Sequence, residues 1–224
     1  MIAFEASDMT KACVGSTEVS KAYLGSDLVW GGESPVLPYN AEVEYLQSSG
    51  TQYIQLTCSA PKGSFFAVGG VVTPIYVNTN GYAIFGANPY QQFLSTFYSR
   101  NSSSVITYAS QVGASATRGG WGGKEGNELS FELSTAGKTT NGTYTVLSRP
   151  LTANITAFRI FGGYRNSNRY PIKIKSFYII SGDTKLYDLI AVRVGQVGYM
   201  YDKISGELFG NNGTGSFTLG PDVS

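Results

Sequence analysis

The sequence predicts an all-β protein whose main domain is a sandwich or barrel of short strands. No window places apolar residues at positions i, i+3, i+4 and i+7 over three turns, so amphipathic helices are not expected. The stretches 52–56, 129–133 and 156–161 alternate apolar and polar residues, and this period of two turns one face of each strand toward a core. Clusters of Gly, Asn and Ser separate such stretches. Many short strands with frequent turns between them are typical of sandwiches and barrels.

The strongest local signal is the dipeptide Asn141-Gly142, which lies between the polar strand-like stretches 138–140 and 143–146. A two-residue hairpin loop of type I′ needs a positive φ at both central positions, and Asn and Gly are the residues that tolerate it. The sequence therefore predicts a β-hairpin whose turn is formed by these two residues.

Composition excludes several classes of function. The chain has 224 residues, enough for one large β domain or two small ones. It contains no histidine, which excludes a histidine-ligated metal site and the Ser-His-Asp and Cys-His forms of nucleophilic catalysis. The formal net charge is only +1, so we expect no strong electrostatic attraction to nucleic acid or to an anionic membrane.

The cysteines and the first residues indicate the compartment in which the chain folds. Cys13 and Cys58 lie in segments of different character, so we interpret both as buried free thiols rather than as a disulfide. Residues 1–5 lack a basic segment followed by an apolar one, and no apolar run of about 18 residues occurs, so neither a secretory signal nor a membrane span is expected. These features predict synthesis in a reducing cytoplasm, from which lysis can later release the protein.

A change in composition divides the chain into an arm and a body. Residues 31–40 read GGESPVLPYN, and these Gly, Ser and Pro signals predict a linker at 33–40 between an N-terminal arm at 1–32 and a main domain at 41–224. Within the arm, VGSTEV at 14–19 is repeated ten residues later as LGSDLV at 24–29. The simplest folding of this repeat is a three-stranded meander with strands near 11–14, 18–24 and 28–30.

The predicted arm is too small to bury a core of its own, because short isolated ribbons are marginally stable in water. Its apolar residues must therefore be covered by something else, either by the body of the same chain or by another copy or another protein. The second alternative makes the arm a docking device, and the candidate docking residues are Val14, Val19, Tyr23, Leu24, Leu28, Val29 and Trp30.

Several stretches resemble one family, the phage and prophage structural proteins of gut bacteria that carry a concanavalin A-like (laminin-G-like) jelly-roll domain. The resemblance lies in EVSKAYLGSDLVW at 18–30, in VEYLQSSGTQYI at 43–54, and in IKIKSF at 172–177, GYMYDK at 198–203 and FGNNGTGSF at 209–217. It covers both ends of the chain and leaves the middle, at about 60–150, without a matching motif. The resemblance implies a concanavalin A-like two-sheet β-sandwich and a place in a virion.

The sequence departs from this family at two places. The opening strand of the family continues with Asp after Tyr-Ile, whereas Gln55 stands there in this chain. The segment 187–191 keeps only the Asp and the Ile of the family's Arg-Asp-Phe-Ile-Pro run. We therefore expect no cofactor, with a calcium ion as the alternative, because folds of this class hold one with loop carboxylates and carbonyls. The oxygen ligands available for it are Asp183, Asp188, Asp202 and Asn211.

Paired carboxylates were sought because this fold class also includes glycosidases. Glu42 and Glu44 are two residues apart on a probable strand, about 6.6 Å along the backbone, within the range of glycosidase pairs. The third acid that such hydrolases place in the same strand is missing. Glu128 and Glu132 are about 13 Å apart along a strand, which is too far to flank one glycosidic bond. We therefore predict that the protein is not an enzyme and that these residues are solvated.

Sugar binding without catalysis is the more plausible chemistry, because it needs only aromatic faces together with amide, hydroxyl or Arg groups. Two glycine-rich or polar loops offer them, at 118–124 and at 162–170. The alternative for both loops is an oligomer contact or a simply exposed segment. The candidate glycan-binding residues are Arg118, Trp121, Tyr164, Arg165 and Asn168.

Together these observations predict a structural protein of a bacteriophage virion, either a head or tail fibre or a capsid decoration protein. It would assemble through the N-terminal arm as a dimer or trimer beside other virion proteins and display a lectin-like sandwich to host-surface glycans. The alternative is a bacterial lectin-like adhesion module whose main role is carbohydrate binding, and a glycoside hydrolase is the least favoured class. Neither nucleic acid nor membrane is expected as a partner.

Overall fold

The structure is a computed structural model that describes residues 12–14, 17–19, 21–24, 27–31, 37–75, 82–88, 95–100, 106–112, 115–118, 126–146, 150–163 and 171–223. All regular structure in these parts of the chain is β-strand or β-bridge. The described residues include no helix long and apolar enough to span a bilayer. For residues 12–31, 82–83 and 95–118, and for 138, 140 and 144–146, the description is of the backbone alone.

The described residues form 22 strands, the longest of which has 11 residues. The first part of the chain contributes β1 (Ala12–Val14), β2 (Thr17–Val19), β3 (Lys21–Leu24), β4 (Asp27–Gly31), β5 (Ala41–Glu42), β6 (Leu46–Ser48), β7 (Ile54–Ala60) and β8 (Phe66–Pro74). The middle contributes β9 (Tyr82–Ala83), β10 (Phe85–Asn88), β11 (Ser95–Arg100), β12 (Ile106–Val112), β13 (Ser115–Arg118), β14 (Leu129–Ser134), β15 (Gly137–Thr140) and β16 (Thr143–Val146). The last part contributes β17 (Ile155–Ile160), β18 (Ile172–Ser181), β19 (Thr184–Val194), β20 (Val197–Asp202), β21 (Leu208–Phe209) and β22 (Thr218–Leu219).

The chain forms two compact units, Met1–Pro38 and Tyr39–Ser224, and the boundary falls inside the predicted linker. Two residues assigned to that linker belong to the second unit by their contacts. The backbone N–H of Asn40 donates to the carbonyl of Arg193 at 2.9 Å, and the ring centroid of Tyr39 lies 4.9 Å from that of Tyr201.

The N-terminal unit differs from the predicted three-stranded meander. It contains two separate hairpins, β1–β2 and β3–β4, with Val14 opposite Thr17 and Leu24 opposite Asp27. The expected middle strand at 18–24 is divided, because its first half pairs with β1 and its second half pairs with β4. Each copy of the ten-residue repeat thus closes on itself, which is the local solution for a repeat that carries its own turn residues. The candidate docking residues lie on these four strands, and their docking role stays a prediction.

The C-terminal unit is built from antiparallel sheets. The larger one has 11 strands, with the order β16-β15-β14-β8-β18-β19-β20-β21 and with β5, β6 and β22 attached beside it. A three-stranded sheet has the order β10-β17-β7, and a four-stranded one has the order β13-β12-β11-β9.

The core lies between the three-stranded and the 11-stranded sheets. Burial alternates residue by residue along β7, whose Ile54, Leu56 and Cys58 are buried while the residues between them are exposed. Phenylalanines from the two sheets meet in the middle, at ring-centroid distances of 5.6–6.2 Å, with each ring contributing about 1.5–3 kcal/mol by burial. The rings involved are Phe66, Phe131 and Phe177 from the larger sheet and Phe85 and Phe158 from the smaller one. The predicted all-β architecture of two packed sheets is confirmed for the described residues of this unit.

The stretches of the second unit that carry the family resemblance are far apart in sequence but adjacent in space. Strand β6 pairs with both β18 and β22, so the opening and closing strands of the sandwich lie side by side. The side-chain oxygens of Asn211 and Asn212 accept hydrogen bonds from the backbone N–H groups of Tyr53 and Gln55, at 3.1 and 2.8 Å. The resemblance therefore marks one contiguous part of the sandwich.

Cys58 is a free thiol with 1% of its surface exposed, as the sequence predicts for it. Burial away from water disfavours the thiolate and raises the pKa of Cys58 to about 12, so this sulfur is chemically inert at neutral pH. Cys13 lies on β1, and its side chain is outside the described residues.

Candidate functional site

A groove with a volume of about 470 Å³ lies beside neighbouring strands of the larger sheet. Its size is within the range of small-molecule sites in proteins, about 300–1,000 Å³. It is lined by Glu44 and Tyr45 before β6, Thr73 in β8, Gly126 and Glu128 before β14, Lys173 and Lys175 in β18, and Asp222 and Val223 near the C-terminus.

Strand alternation directs both lysines of the groove away from the core. Ile172 and Ile174 of β18 are fully buried, so Lys173 and Lys175 lie on the opposite face of the strand. The same rule applies to the neighbouring strand β8, where the partly exposed Thr73 lies between two buried residues. The groove therefore lies on the outer face of the larger sheet.

Strand β18 contains a β-bulge at Lys175, on this outer face. Ile174 is opposite Val72 of β8, but Ser176 is opposite Val71, so Lys175 is the extra residue between two consecutive partners. Bulges of this kind often lie beside functional sites, where they redirect a side chain. The bulged backbone packs tightly on β8, because a Cβ at Gly70 would collide with the Ser176 carbonyl.

Two of the charged groups in the groove already have partners. The ammonium of Lys173 lies 4.0 Å from the ring centroid of Tyr45, a cation–π contact. Asp222 accepts two hydrogen bonds from the Arg193 guanidinium, at 2.7 and 2.6 Å. These hydrogen bonds lower the pKa of Asp222 and raise the pKa of Arg193.

The other three charged groups are available to a ligand. Within the described part of the chain, no hydrogen bond or ion pair involves the side chains of Glu44, Glu128 or Lys175. The groove thus presents carboxylates and ammonium groups that do not neutralise one another. The sequence did not predict this arrangement, because it paired Glu44 with Glu42 and Glu128 with Glu132.

The first described residues after the two predicted glycan loops are Gly126, which lines the groove, and Pro171. Trp121, Tyr164, Arg165 and Asn168 lie outside the described residues, and Arg118 is the last residue of β13. Described structure resumes at 126 after the first loop and at 171 after the second. There the N–H of Gly126 donates to the carbonyl of Pro74 at 3.1 Å, and the N–H of Ile75 donates to the carbonyl of Pro171 at 3.3 Å. The residues at which described structure resumes after the two loops are therefore hydrogen-bonded to the consecutive residues Pro74 and Ile75 at the end of β8.

The second loop begins on the smaller sheet. The Arg159 guanidinium donates to the carbonyl of Gly163 at 3.5 Å and to the side-chain oxygen of Gln55 at 3.1 Å, and it lies 4.1 Å from the ring centroid of Tyr53. Gln55, which stands at the family's Asp position, is thus the hydrogen-bond partner of an arginine. The loop at 162–170 connects this contact on β17 with the groove on β18.

Two of the candidate calcium ligands, Asp202 and Asp188, already form hydrogen bonds or ion pairs within the domain. Asp202 is buried, and its carboxylate accepts from the backbone N–H of Asp188 at 2.8 Å and from the Ser205 hydroxyl at 2.8 Å. Asp188 forms ion pairs with Lys185 and Lys203 at 3.4 and 3.3 Å. Within the described residues, no three Asp, Glu, Cys or His side chains form a group that could hold a metal ion.

The acidic residues weighed for catalysis occupy separate environments. Glu42 and Glu44 flank the buried Val43 and are both exposed, on one face as expected, and Glu42 accepts a hydrogen bond from the Tyr39 hydroxyl at 3.2 Å. Glu132 accepts a hydrogen bond from the Tyr178 hydroxyl at 2.6 Å. Only Glu44 and Glu128 line the groove together.

Comparison with known proteins gives a likeness to solved structures but no match to a family. No family model matches the chain, and no curated protein matches it. Among solved structures, the chain is similar to the native heptameric SAP-like pentraxin from Limulus polyphemus, with a TM-score of 0.46 and 10% sequence identity. This likeness covers 81% of the present chain and 94% of the pentraxin chain.

Proposed function

We propose that this chain is a structural protein of a bacteriophage virion, as a head or tail fibre or as a decoration protein. It is made in the host cytoplasm, assembles into a homo-oligomer and with other virion proteins through its N-terminal hairpins, and displays the sandwich to glycans on the host surface. The proposal gives it no catalytic activity and no cofactor. The virion context rests on the family resemblance of the sequence.

One observation supports the glycan-binding part of the proposal. Gly126 and Pro171, the first described residues after the loops at 118–124 and 162–170, are hydrogen-bonded to Pro74 and Ile75, beside a groove of about 470 Å³ that contains a tyrosine ring and several uncompensated charged groups. Aromatic and polar side chains converging on one concave surface are what a saccharide site requires. In an oligomer, several such sites would multiply a modest affinity for each glycan.

The construction of the N-terminal unit supports the assembly part. Its described residues form two hairpins of two short strands each, and an isolated two-stranded hairpin is marginally stable in water. Covering its apolar residues on a neighbouring molecule would stabilise the unit. The prediction that the arm is a docking device is therefore retained.

Assembly is tested by removing residues 1–38, the whole first unit. We expect the full chain to be oligomeric and the shortened chain to be monomeric by light scattering after size-exclusion chromatography. The shortened chain should also fail to enter virions when it replaces the full one. A shortened chain that assembles like the full one would contradict the docking role, and a monomeric full chain that binds glycans would favour the adhesion module.

Glycan display is tested with the two tryptophans of the chain, which serve as controls for each other. Trp121→Ala should weaken binding to a glycan array and leave the oligomer mass unchanged. Trp30→Ala should lower the oligomer mass, while binding by each remaining subunit persists. An array that stays blank with the full chain, or that does not change with Trp121→Ala, would remove that loop from the proposal. Release of reducing sugar from any bound glycan, abolished by Glu44→Gln, would show that the protein is an enzyme.

A further inference from the structure

We infer that the groove selects a zwitterionic saccharide, one that carries both a protonated amine and an acidic group. This inference rests on the proposed function, which gives the groove a glycan to bind. It adds the chemical class of that glycan, which neither the sequence nor the fold specifies.

The strand order separates the charges of the groove in space. Strand β18, with Lys173 and Lys175, lies between β8 and β6, and Glu44 belongs to the segment that leads into β6. Glu128 lies on the other side, where the chain enters β14, beyond β8. With neighbouring strands about 4.8 Å apart, β14 and β18 are about 10 Å apart. The lysines therefore lie in the middle, with one carboxylate toward each side.

The lysines are kept from neutralising these carboxylates. The Lys173 ammonium rests on the Tyr45 ring, and Lys175 has no ion-pair partner among the described residues. The third acid, Asp222, is already bound by Arg193 through two hydrogen bonds. Glu44, Glu128 and Lys175 are therefore left to face whatever enters the groove, with the Lys173 ammonium held on the Tyr45 ring between the two carboxylates.

Such a groove discriminates by charge. A ligand with only an acidic group is attracted by the lysines and repelled by Glu44 and Glu128, and a ligand with only an amine meets the reverse. A zwitterion whose two charges lie on opposite sides of a sugar ring can satisfy both sets at once.

The test uses four forms of one sugar, the methyl glycoside of neuraminic acid, in which an amine and a carboxylate lie on opposite sides of the ring. The free form is zwitterionic, the N-acetylated form is anionic, the methyl ester is cationic, and the doubly blocked form is neutral. We expect isothermal titration calorimetry of the full chain to give a Kd at least tenfold lower for the zwitterion than for any other form.

Two variants then assign the charges to residues. Lys175→Gln should weaken binding of the zwitterion several-fold. With this variant, forms with a free carboxylate should no longer bind more tightly than their methyl esters, while forms with a free amine should still bind more tightly than their N-acetylated counterparts. Glu128→Gln should also weaken binding of the zwitterion, but it should remove the preference for the free amine and keep the preference for the free carboxylate. Lys62→Gln, at an exposed lysine that does not line the groove, should leave all four affinities unchanged. A purely structural effect of either variant would weaken all four forms equally.

The outcomes separate this inference from the proposed function. If the neutral form binds as tightly as the zwitterion, and groove variants still weaken it, glycan display stands and charge selection is overturned. Zwitterion binding that neither Lys175→Gln nor Glu128→Gln alters also overturns the inference, because the site would then lie elsewhere. If none of the four forms binds and the glycan array is blank, both ideas fail.

Discussion

At Gly70 the neighbouring strand β18 approaches β8 so closely that a side chain has no room. A Cβ at this position would collide with the Ser176 carbonyl, and its φ of +155° lies in a region that L-residues rarely adopt. This close approach occurs where the ladder contains the bulge at Lys175. The absence of a side chain at Gly70 therefore allows β18 to pack closely on β8 beside the bulge that borders the groove.

Gly70→Ala should destabilise the protein by about 2–3 kcal/mol, because the added methyl group must displace the backbone of β18. Gly182→Ala is the matched control, since Gly182 also has a positive φ but no atom within 4 Å of the added Cβ, and it should cost only about 1 kcal/mol. Urea unfolding followed by circular dichroism measures both values. Equal losses would show that the contact with Ser176 is unimportant.

Tyr178 forms a second outer-face contact next to Gly70. Its hydroxyl donates to Glu132 at 2.6 Å, and the ring lies over Gly69, where a Cβ would collide with it. Partial burial raises the pKa of Tyr178 above its usual value, and the hydrogen bond to Glu132 raises it further. The folded state therefore holds the phenolic proton more tightly than the unfolded chain does.

This difference predicts a loss of stability at alkaline pH. The contribution of Tyr178 is fully present below the unfolded pKa of about 10 and is lost as the pH rises from there toward the folded pKa. Tyr178→Phe should cost about 1 kcal/mol at pH 7 and should reduce the fall in the free energy of unfolding between pH 10 and pH 12. Tyr201→Phe, at a hydroxyl without a described hydrogen bond, should keep the wild-type slope. Parallel slopes for all three proteins would contradict the assignment.

Among the individual elements, the hairpin of β15 and β16 is specified by its own turn. Thr140 is opposite Thr143, and Asn141 and Gly142 have φ values of 44° and 81°, so the predicted turn is confirmed. The turn is also tied to β14, because the side-chain oxygen of Asn141 accepts from the N–H of Ser130 at 3.1 Å. Asn141 thus supplies both the backbone conformation of the turn and a hydrogen bond to the neighbouring strand β14.

Asn141→Ala should destabilise the protein by about 1–2 kcal/mol, because alanine disfavours the positive φ and cannot accept the hydrogen bond from Ser130. Asn141→Asp keeps an acceptor oxygen and a residue that tolerates this conformation, so its loss should be much smaller. Thermal and urea unfolding of the two variants give the comparison. An alanine variant as stable as the aspartate variant would show that the turn imposes no such requirement.

For the whole molecule, the described core belongs to the second compact unit. All buried apolar residues of the described core lie between Val43 and Phe217, and the sandwich is closed by pairing of β6 with β22 and by the bridge between Val43 and Asp222. The first and last parts of this unit therefore hold each other in place. Stability of the sandwich should not depend on the hairpins that precede it.

Removal of residues 1–38 should consequently leave the urea dependence of unfolding of the sandwich almost unchanged, with a change in free energy below about 1 kcal/mol. Far-ultraviolet circular dichroism and urea unfolding check this, at a concentration where the full chain is dissociated. As a contrast, truncation after Ser216 should unfold the domain, because it removes the buried Phe217 and leaves β6 without β22. A sandwich that unfolds without its first unit would contradict the division.

Part of the candidate site was accessible from sequence and part was not. Alternation places Lys173 and Lys175 on the outer face, and residue composition singled out the loops at 118–124 and 162–170. The meeting of Glu44 with Glu128 has no local signature, since these residues are 84 positions apart and approach only because β6, β18, β8 and β14 are neighbours. The bulge at Lys175 could not be predicted from the sequence either, because an extra residue in a strand is defined only relative to the strand that pairs with it.

The amino-acid sequence by itself determined the strand character, the turn at Asn141 and the exclusion of histidine chemistry, because these depend on side-chain periodicity, local backbone preference and composition. It also placed a repeat in the arm, although its two hairpins became clear only from the strand register. Tertiary structure alone decided which distant carboxylates and lysines share a groove. It also decided which aspartates already form hydrogen bonds or ion pairs within the domain. Long-range strand order sets those distances, and no local pattern of residues encodes it.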